Sequence, residues 1–211
     1  MRVDNTVAGL SILAACTTDV KQLYMQNGLQ LNPYKSDALF MVTATQLTAM
    51  SSLKSVSVAD VNLPVADSMR VLGVTLDRRL TIDNHASAVA RSCNYHARAI
   101  HHIRHLLSLD LAQTLACSLI LSRIDYCNSV LHGAPSSTIQ KLQRVQNNAA
   151  RIVLQAPRRS DVNSLLQTLH WLPVEQRINY KLSVLTFKIQ QTSSPQYLSQ
   201  HISSRTSARN I

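Results

Sequence analysis

The spacing of apolar residues changes near residue 80, and this change constrains the fold more than any other feature. Before it, short runs at residues 55–58, 61–65 and 69–76 alternate or are β-branched, which is typical of strands. After it, apolar residues recur at intervals of three, four and seven, which is the spacing of one helix face. The sequence therefore predicts an α+β chain, with a small antiparallel sheet and one helix followed by an all-helical bundle.

Several elements are predicted before residue 80. A helix runs from residue 5 or 6 to about residue 27, where Gly28 ends it. Residues 39–43 (LFMVT) form a buried strand, and residues 55–58 and 61–65 form a hairpin in which Pro64 marks an edge strand. Residues 69–76 join them as a third strand with a kink at Gly73.

The remainder is predicted to be helical up to residue 192. The first helix starts at Asp83 or Asn84 and runs to about residue 107, with Val89, Cys93, Ile100, Ile103 and Leu107 as its apolar face. Ser108 starts the next, which runs to residue 131, and its apolar part 111–121 is the central buried helix. A helix from Ser136 or Ser137 to about residue 155, a short helix capped by Asp161 and a last helix after Pro173 complete the bundle. The domains are then 1–80, 81–192 and a flexible tail, 193–211.

The charge of the chain is as uneven as its apolar pattern. The formal net charge is +10. Residues 1–77 contain 5 Lys/Arg and 6 Asp/Glu, whereas residues 78–211 contain 16 and 5. Lys and Arg on a phosphate backbone release counterions, so this excess favours a nucleic-acid partner. The alternative is a basic protein without such a partner.

The excess positive charge lies on particular helix faces. Arg91, Arg98 and His105 recur every seven residues opposite the apolar face of their helix, and residues 126–160 contain no acidic residue. A single-sign face suggests an external counter-charge, because an ordinary exposed helix mixes signs. The predicted nucleic-acid-binding set is Arg78, Arg79, Arg91, Arg98, Lys141, Arg144, Arg151, Arg158 and Arg159.

The cysteines and histidines point to no catalytic or metal site. The four cysteines are far apart, which predicts free, mostly buried thiols and a reducing compartment. His96, His101, His102 and His105 crowd one helix without a third ligand at a matching step, so a basic face is favoured over a metal site. No secretory signal or membrane span is recognisable, so we expect an intracellular protein of the nucleus or cytoplasm, without a membrane.

The order of five short motifs resembles a known family. They are LQLNPYKSDALF (29–40), VLGVTLDRRLTIDNH (71–85), RIDYCNSVLHGAP (123–135), LQRVQNNAARIV (142–153) and LHWLPVEQRINYK (169–181). Together they resemble the end of the palm and the thumb of reverse transcriptases from non-LTR retrotransposons of the LINE type, jockey-like. The resemblance covers nearly the whole chain.

This resemblance implies roles for individual residues. Lys35 matches the motif lysine that points toward the phosphates of the incoming nucleotide, and Leu72, Gly73 and Val74 match the primer grip. The helices after them would be the thumb, holding an RNA or DNA duplex without regard to sequence. The family's tyrosine–alanine–aspartate–aspartate motif and earlier palm aspartate belong upstream of the matched part. We therefore expect a fragment of an RNA-directed DNA polymerase, inactive alone and without a cofactor, with Mg²⁺ needed only in an intact polymerase.

Other functions fit the same bundle pattern. The chain is equally compatible with a repurposed helical module that binds nucleic acid or a protein and has no polymerase role. A decayed copy of an element with no selected function is a third alternative. The missing palm and fingers region, or a second copy of the chain, are further candidate partners.

Overall fold

The structure is a computed structural model that describes residues 3–32, 35–41, 54–58 and 61–202. The chain divides into two compact units, Met1–Asn84 and His85–Ile211. Within the described residues, the strands all belong to the first unit, and the second unit is helical. The predicted α+β class, a small amount of sheet followed by a helical region, is confirmed.

A long helix opens the N-terminal unit. Helix α1 (Val3–Gln26) packs against the first strand, β1 (Ser55–Val58). It ends as predicted at Gly28, whose φ of 71° is readily adopted only by glycine. The Leu29 N–H then donates to the Tyr24 carbonyl at 2.8 Å, which closes the end of the helix.

The predicted hairpin at residues 55–65 is present. Strand β1 pairs antiparallel with β2 (Val61–Pro64), and the opposed Val56 and Leu63 are both buried. Residues 59 and 60, which connect the strands, lie outside the described residues. The strand predicted at 39–43 is wrong for residues 39–41, because only Ala38 forms a single bridge, to Val65. Residues 42 and 43 lie outside the described residues.

The predicted third strand, residues 69–76, is also wrong. The chain reverses at Leu72 and Gly73, so that β3 (Ser68–Val71) and β4 (Val74–Asp77) form a second two-stranded hairpin. Both turn residues have positive φ, 47° and 85°, as a two-residue type I′ turn requires. The apolar run VLGV thus straddles a turn, and the sheet is two hairpins of two strands each rather than one of three.

The turn after β4 is held by one carboxylate. Asp77 accepts hydrogen bonds from the N–H groups of Arg79, Thr81 and Ile82 and from the Thr81 hydroxyl, at 2.8–3.1 Å. Leu80 and Ile82 have positive φ, 52° and 57°, which is strained for non-glycine residues and especially for β-branched Ile82. Burial alone would raise the pKa of Asp77, but these hydrogen bonds lower it overall.

The helices from Asp83 onward follow the predicted order with different ends. They are α2 (Asp83–Ile103), α3 (Leu109–Ala116), α4 (Ser122–Asp125), α5 (Ser136–Leu154), α6 (Val162–Thr168), α7 (Val174–Thr192) and the short α8 (Gln196–Ser199). A π-helical turn, Cys117–Leu121, joins α3 to α4, and 3₁₀ turns lie at Arg104–Leu106 and Asn128–Leu131. The predicted caps Ser108 and Asp161 are confirmed. The tail from residue 203 lies outside the described residues.

The segment 109–125 supplies much of the core of the C-terminal unit. Ala112, Ala116, Ile120 and Ile124 are buried, but Leu111 is 57% exposed, so the segment is not buried all round as predicted. The helix also ends at Asp125 rather than at residue 131. Tyr126 is extended and Cys127 is left-handed, and this break has no proline or glycine to signal it.

Two side-chain amides of α5 hold the first residue of α7 and the segment just before it. Gln146, fully buried, donates from Nε2 to the Leu172 carbonyl at 2.8 Å, and Gln143 Oε1 accepts from the Val174 N–H at 2.8 Å. Trp171, which precedes Leu172, is 6% exposed. Helix α5 begins after Pro135 at its N-cap, without the predicted serine side-chain cap.

Candidate nucleic-acid interface

Helices α2 and α5 lie side by side and run in the same direction. Near their starts, Lys141 Nζ on α5 donates to Ser87 Oγ on α2 at 3.3 Å. Near their ends, the Arg104 guanidinium after α2 donates to the Val153 carbonyl on α5. Because α2 and α5 start and end next to each other, their outward faces line one groove.

Two cavities follow this groove, which we call the α2–α5 groove. The first, about 620 Å³, lies toward the helix starts. The second, about 900 Å³, lies toward the helix ends. Arg98 lines both, so the two cavities adjoin. The first is also lined by Ser87, Ala90, Arg91, Asn94, Tyr95, Lys141, Arg144 and Val145, and the second by His101, Arg104, His105, Asn148, Arg151, Ile152, Gln155, Ala156 and Arg158.

The groove brings together most of the cations singled out from the sequence. Six of the seven candidates between residues 91 and 159 line one or both cavities. Arg159 is exposed but lines neither. The six are Arg91, Arg98, Lys141, Arg144, Arg151 and Arg158.

Carboxylates are absent from the lining of both cavities, among the residues that the structure describes. The acidic side chains of this unit are used elsewhere. Asp110 and Glu175 lie in the first turns of α3 and α7, and Asp161 caps α6. These positions favour negative charge at a helix start. The groove therefore keeps its positive potential.

The fourth carboxylate, Asp125, is paired with an arginine away from the groove. Arg177 Nη1 donates to Asp125 Oδ2 at 2.6 Å. Burial raises the pKa of Asp125, and the positive charge of Arg177 partly offsets that rise. This ion pair fastens α4 to α7.

Arg104 is a groove residue that the sequence did not indicate. Ile103 was predicted on the apolar face, but it is 39% exposed and Arg104 is buried instead. Arg104 follows Ile100 by four residues and Ala97 by seven, so it lies on the same buried face of the helix, whereas Ile103 lies at the edge of that face. The helical repeat alone places Arg104 on this face, but a charged side chain is not expected in a core.

Tyr95 is a second residue that sequence reasoning missed. It lines the first cavity beside Arg91 and Arg98 and is 72% exposed. Its ring meets the His96 imidazole edge-on, with centroids 5.4 Å apart. An exposed aromatic ring among arginines can stack on a base or a sugar. The signal was available, since Tyr95 falls midway between Arg91 and Arg98 on the same helix.

The other candidate residues belong to the N-terminal unit. Arg78 forms an ion pair with Asp67 at 2.9 Å and donates from Nε to the Ala66 carbonyl at 3.1 Å. Arg79 and Lys35 are exposed. Leu72, at the tip of the second hairpin, is 85% exposed, whereas Val74 is buried.

The four cysteines are free, as predicted, but the prediction that they are mostly buried is right only for Cys93. Cys93 is buried, Cys117 and Cys127 are half-buried, and Cys16 is exposed. Burial raises the pKa of Cys93 to about 11, so its thiol is largely unreactive. Over the described residues, no three His, Cys, Asp or Glu side chains are placed to hold a metal ion.

Comparisons with family models, with curated proteins and with solved structures gave no match to this chain. In the part of the chain that the structure describes, no helix has the length and apolar character needed to span a membrane.

Proposed function

We propose that this chain binds nucleic-acid duplexes through the α2–α5 groove and that it is the primer–template-gripping part of an RNA-directed DNA polymerase. The observation that carries the proposal is the convergence of seven Lys and Arg residues, the six predicted cations and Arg104, on one groove whose lining contains no described carboxylate. The resemblance to non-LTR reverse transcriptases gives the polymerase context. In that context the protein acts inside the cell, in the nucleus or the cytoplasm.

The form of the groove suits contacts to phosphates rather than to bases. Arg91 and Arg98 on α2 are seven residues apart, and so are Arg144 and Arg151 on α5, which spaces each pair about 10 Å along its helix. Guanidinium groups bind phosphate oxygens through several N–H donors at once. Such contacts position a duplex but read no sequence.

The experiment is a salt titration of duplex binding. Fluorescence anisotropy with labelled DNA, RNA and hybrid duplexes gives affinity as a function of salt concentration. Six phosphate contacts predict a slope of about −5 in a plot of log affinity against log salt. Two duplexes of unrelated sequence should bind equally.

A charge-matched pair of variants tests the groove itself. Arg91→Ala with Arg144→Ala removes two groove cations and should reduce the steepness of the salt slope by about 2. Lys181→Ala with Lys188→Ala removes two exposed cations on α7, outside the lining of both cavities, and should change it little. Equal effects of the two pairs, or affinity that ignores salt, would remove this proposal in favour of a protein partner.

A further inference from the structure

More positive charge lines the second cavity of the groove than one phosphodiester of a duplex backbone can neutralise. Arg98, Arg104, Arg151 and Arg158 all line it, together with His101 and His105. A phosphodiester carries one negative charge and is matched by one or two cations. Four arginines around about 900 Å³ match an anion with more charge and more acceptor oxygens.

Arg104 is the most demanding member of this cluster because it is buried. Its relative exposure is 9%, and its hydrogen bonds go to two backbone carbonyls, those of Val153 and Leu107. Carbonyls at the end of α5 offer partial negative charge. A buried ionic group is normally paired with a full opposite charge, and among described residues no carboxylate pairs with Arg104.

Arg151 supplies an independent observation. Its Nε is buried and has no hydrogen-bond partner within the described structure. A buried N–H of a charged group without an acceptor destabilises the folded state. Arg151 also lines the second cavity, where an anion would give its guanidinium a charged partner.

We propose that the second cavity is a binding site for a phosphomonoester, and that it holds the terminal phosphate of a nucleic-acid strand lying in the groove. A phosphomonoester carries up to two negative charges and three acceptor oxygens. The cavity lies where α2 and α5 both end, so the cationic path also ends there. The assignment of the phosphate to a nucleic-acid strand rests on the proposed function, whereas the anion site itself does not.

The experiment compares duplexes that differ only at their ends. Blunt duplexes with a 5′-phosphate, a 3′-phosphate or no terminal phosphate are titrated against the full chain, and pyrophosphate binding is followed separately by calorimetry. We expect one phosphorylated end to bind about 10-fold tighter than the hydroxyl end, and pyrophosphate to cancel this preference by competition.

Two double variants separate the end site from the rest of the groove. Arg151→Gln with Arg158→Gln should abolish the end preference and pyrophosphate binding. Arg91→Gln with Arg144→Gln should weaken all duplexes equally and leave the preference intact. Equal affinity for all ends without pyrophosphate binding would overturn the end site. Pyrophosphate binding without duplex binding would keep the anion site and overturn the proposed function.

Discussion

The Arg104 guanidinium donates two hydrogen bonds to the Val153 carbonyl, from Nε at 2.9 Å and from Nη2 at 2.7 Å. These bonds fasten the end of α2 to the last turn of α5, 49 residues further along the chain. The same side chain lines the second cavity of the α2–α5 groove. One residue therefore both closes the bundle and contributes to the charge of its surface.

Replacing Arg104 should cost stability. Arg104→Met keeps an apolar stem but leaves the carbonyls of Val153 and Leu107 without their donor, and we expect the free energy of unfolding to fall by about 1–3 kcal/mol. Urea denaturation followed by circular dichroism measures it. Arg98→Met, at an exposed position of the same groove six residues earlier in the chain, is the control and should stay within about 0.5 kcal/mol of the native chain. Equal losses would show that the bonds to Val153 contribute nothing.

The Asp77 turn predicts a pH-dependent contribution to stability. Asp77→Ala removes the acceptor of four hydrogen bonds, so we expect the free energy of unfolding to fall by about 1–2 kcal/mol at pH 7. The folded state lowers the pKa of Asp77. The stabilisation is therefore present above the unfolded pKa of about 3.9 and is lost as the pH falls through the lower folded value.

Urea unfolding at pH 7, 5 and 3 tests this dependence. The difference between the native chain and Asp77→Ala should be similar at pH 7 and 5 and smaller at pH 3. Asp67→Ala is the matched control, because its carboxylate is 94% exposed and its ion pair with Arg78 should matter little. A difference that persists unchanged to pH 3 would contradict the assigned role of Asp77.

A substitution at the tip of the second hairpin should raise stability and weaken duplex binding. Leu72 is 85% exposed with a φ of 47°, a conformation that asparagine adopts more easily. Leu72→Asn should raise the free energy of unfolding by about 0.5–1 kcal/mol. If Leu72 contacts a primer, as the resemblance implies, the same change should weaken duplex binding. Val71→Thr, also exposed but within β3, is the control. A more stable variant with unchanged binding would separate Leu72 from the primer-grip role.

The chain alone should not extend a primer. Two-metal phosphoryl transfer needs carboxylates that converge on two Mg²⁺ ions, and the sequence has no carboxylate pair in the order of the family's motifs. An assay with primer–template, nucleotides and Mg²⁺ should give no incorporation, with an active reverse transcriptase as the positive control. Template-dependent incorporation that survives re-purification would contradict this.

Sequence periodicity was enough to place the cations on helix surfaces. Arg91 and Arg98 lie opposite Cys93 and Ile100 because a helix repeats every 3.6 residues, and burial of one face exposes the other. The absence of acidic residues from 126–160 likewise shows in the sequence that α5 carries one sign of charge. These are local properties, and each depends on the residues of one helix.

The alignment of α2 with α5 was decided only by tertiary structure. It depends on contacts across 49 and 54 residues, Arg104 with Val153 and Lys141 with Ser87, which no local pattern encodes. The reversal at Leu72 was equally hidden, because VLGV satisfies the pattern of a single strand as well as that of a hairpin, and the pairing of Val71 with Val74 selects the hairpin. The burial of the Arg104 side chain likewise depends on the Val153 carbonyl, which accepts from its guanidinium. The sequence thus determined which faces are charged, and long-range packing determined which of them meet.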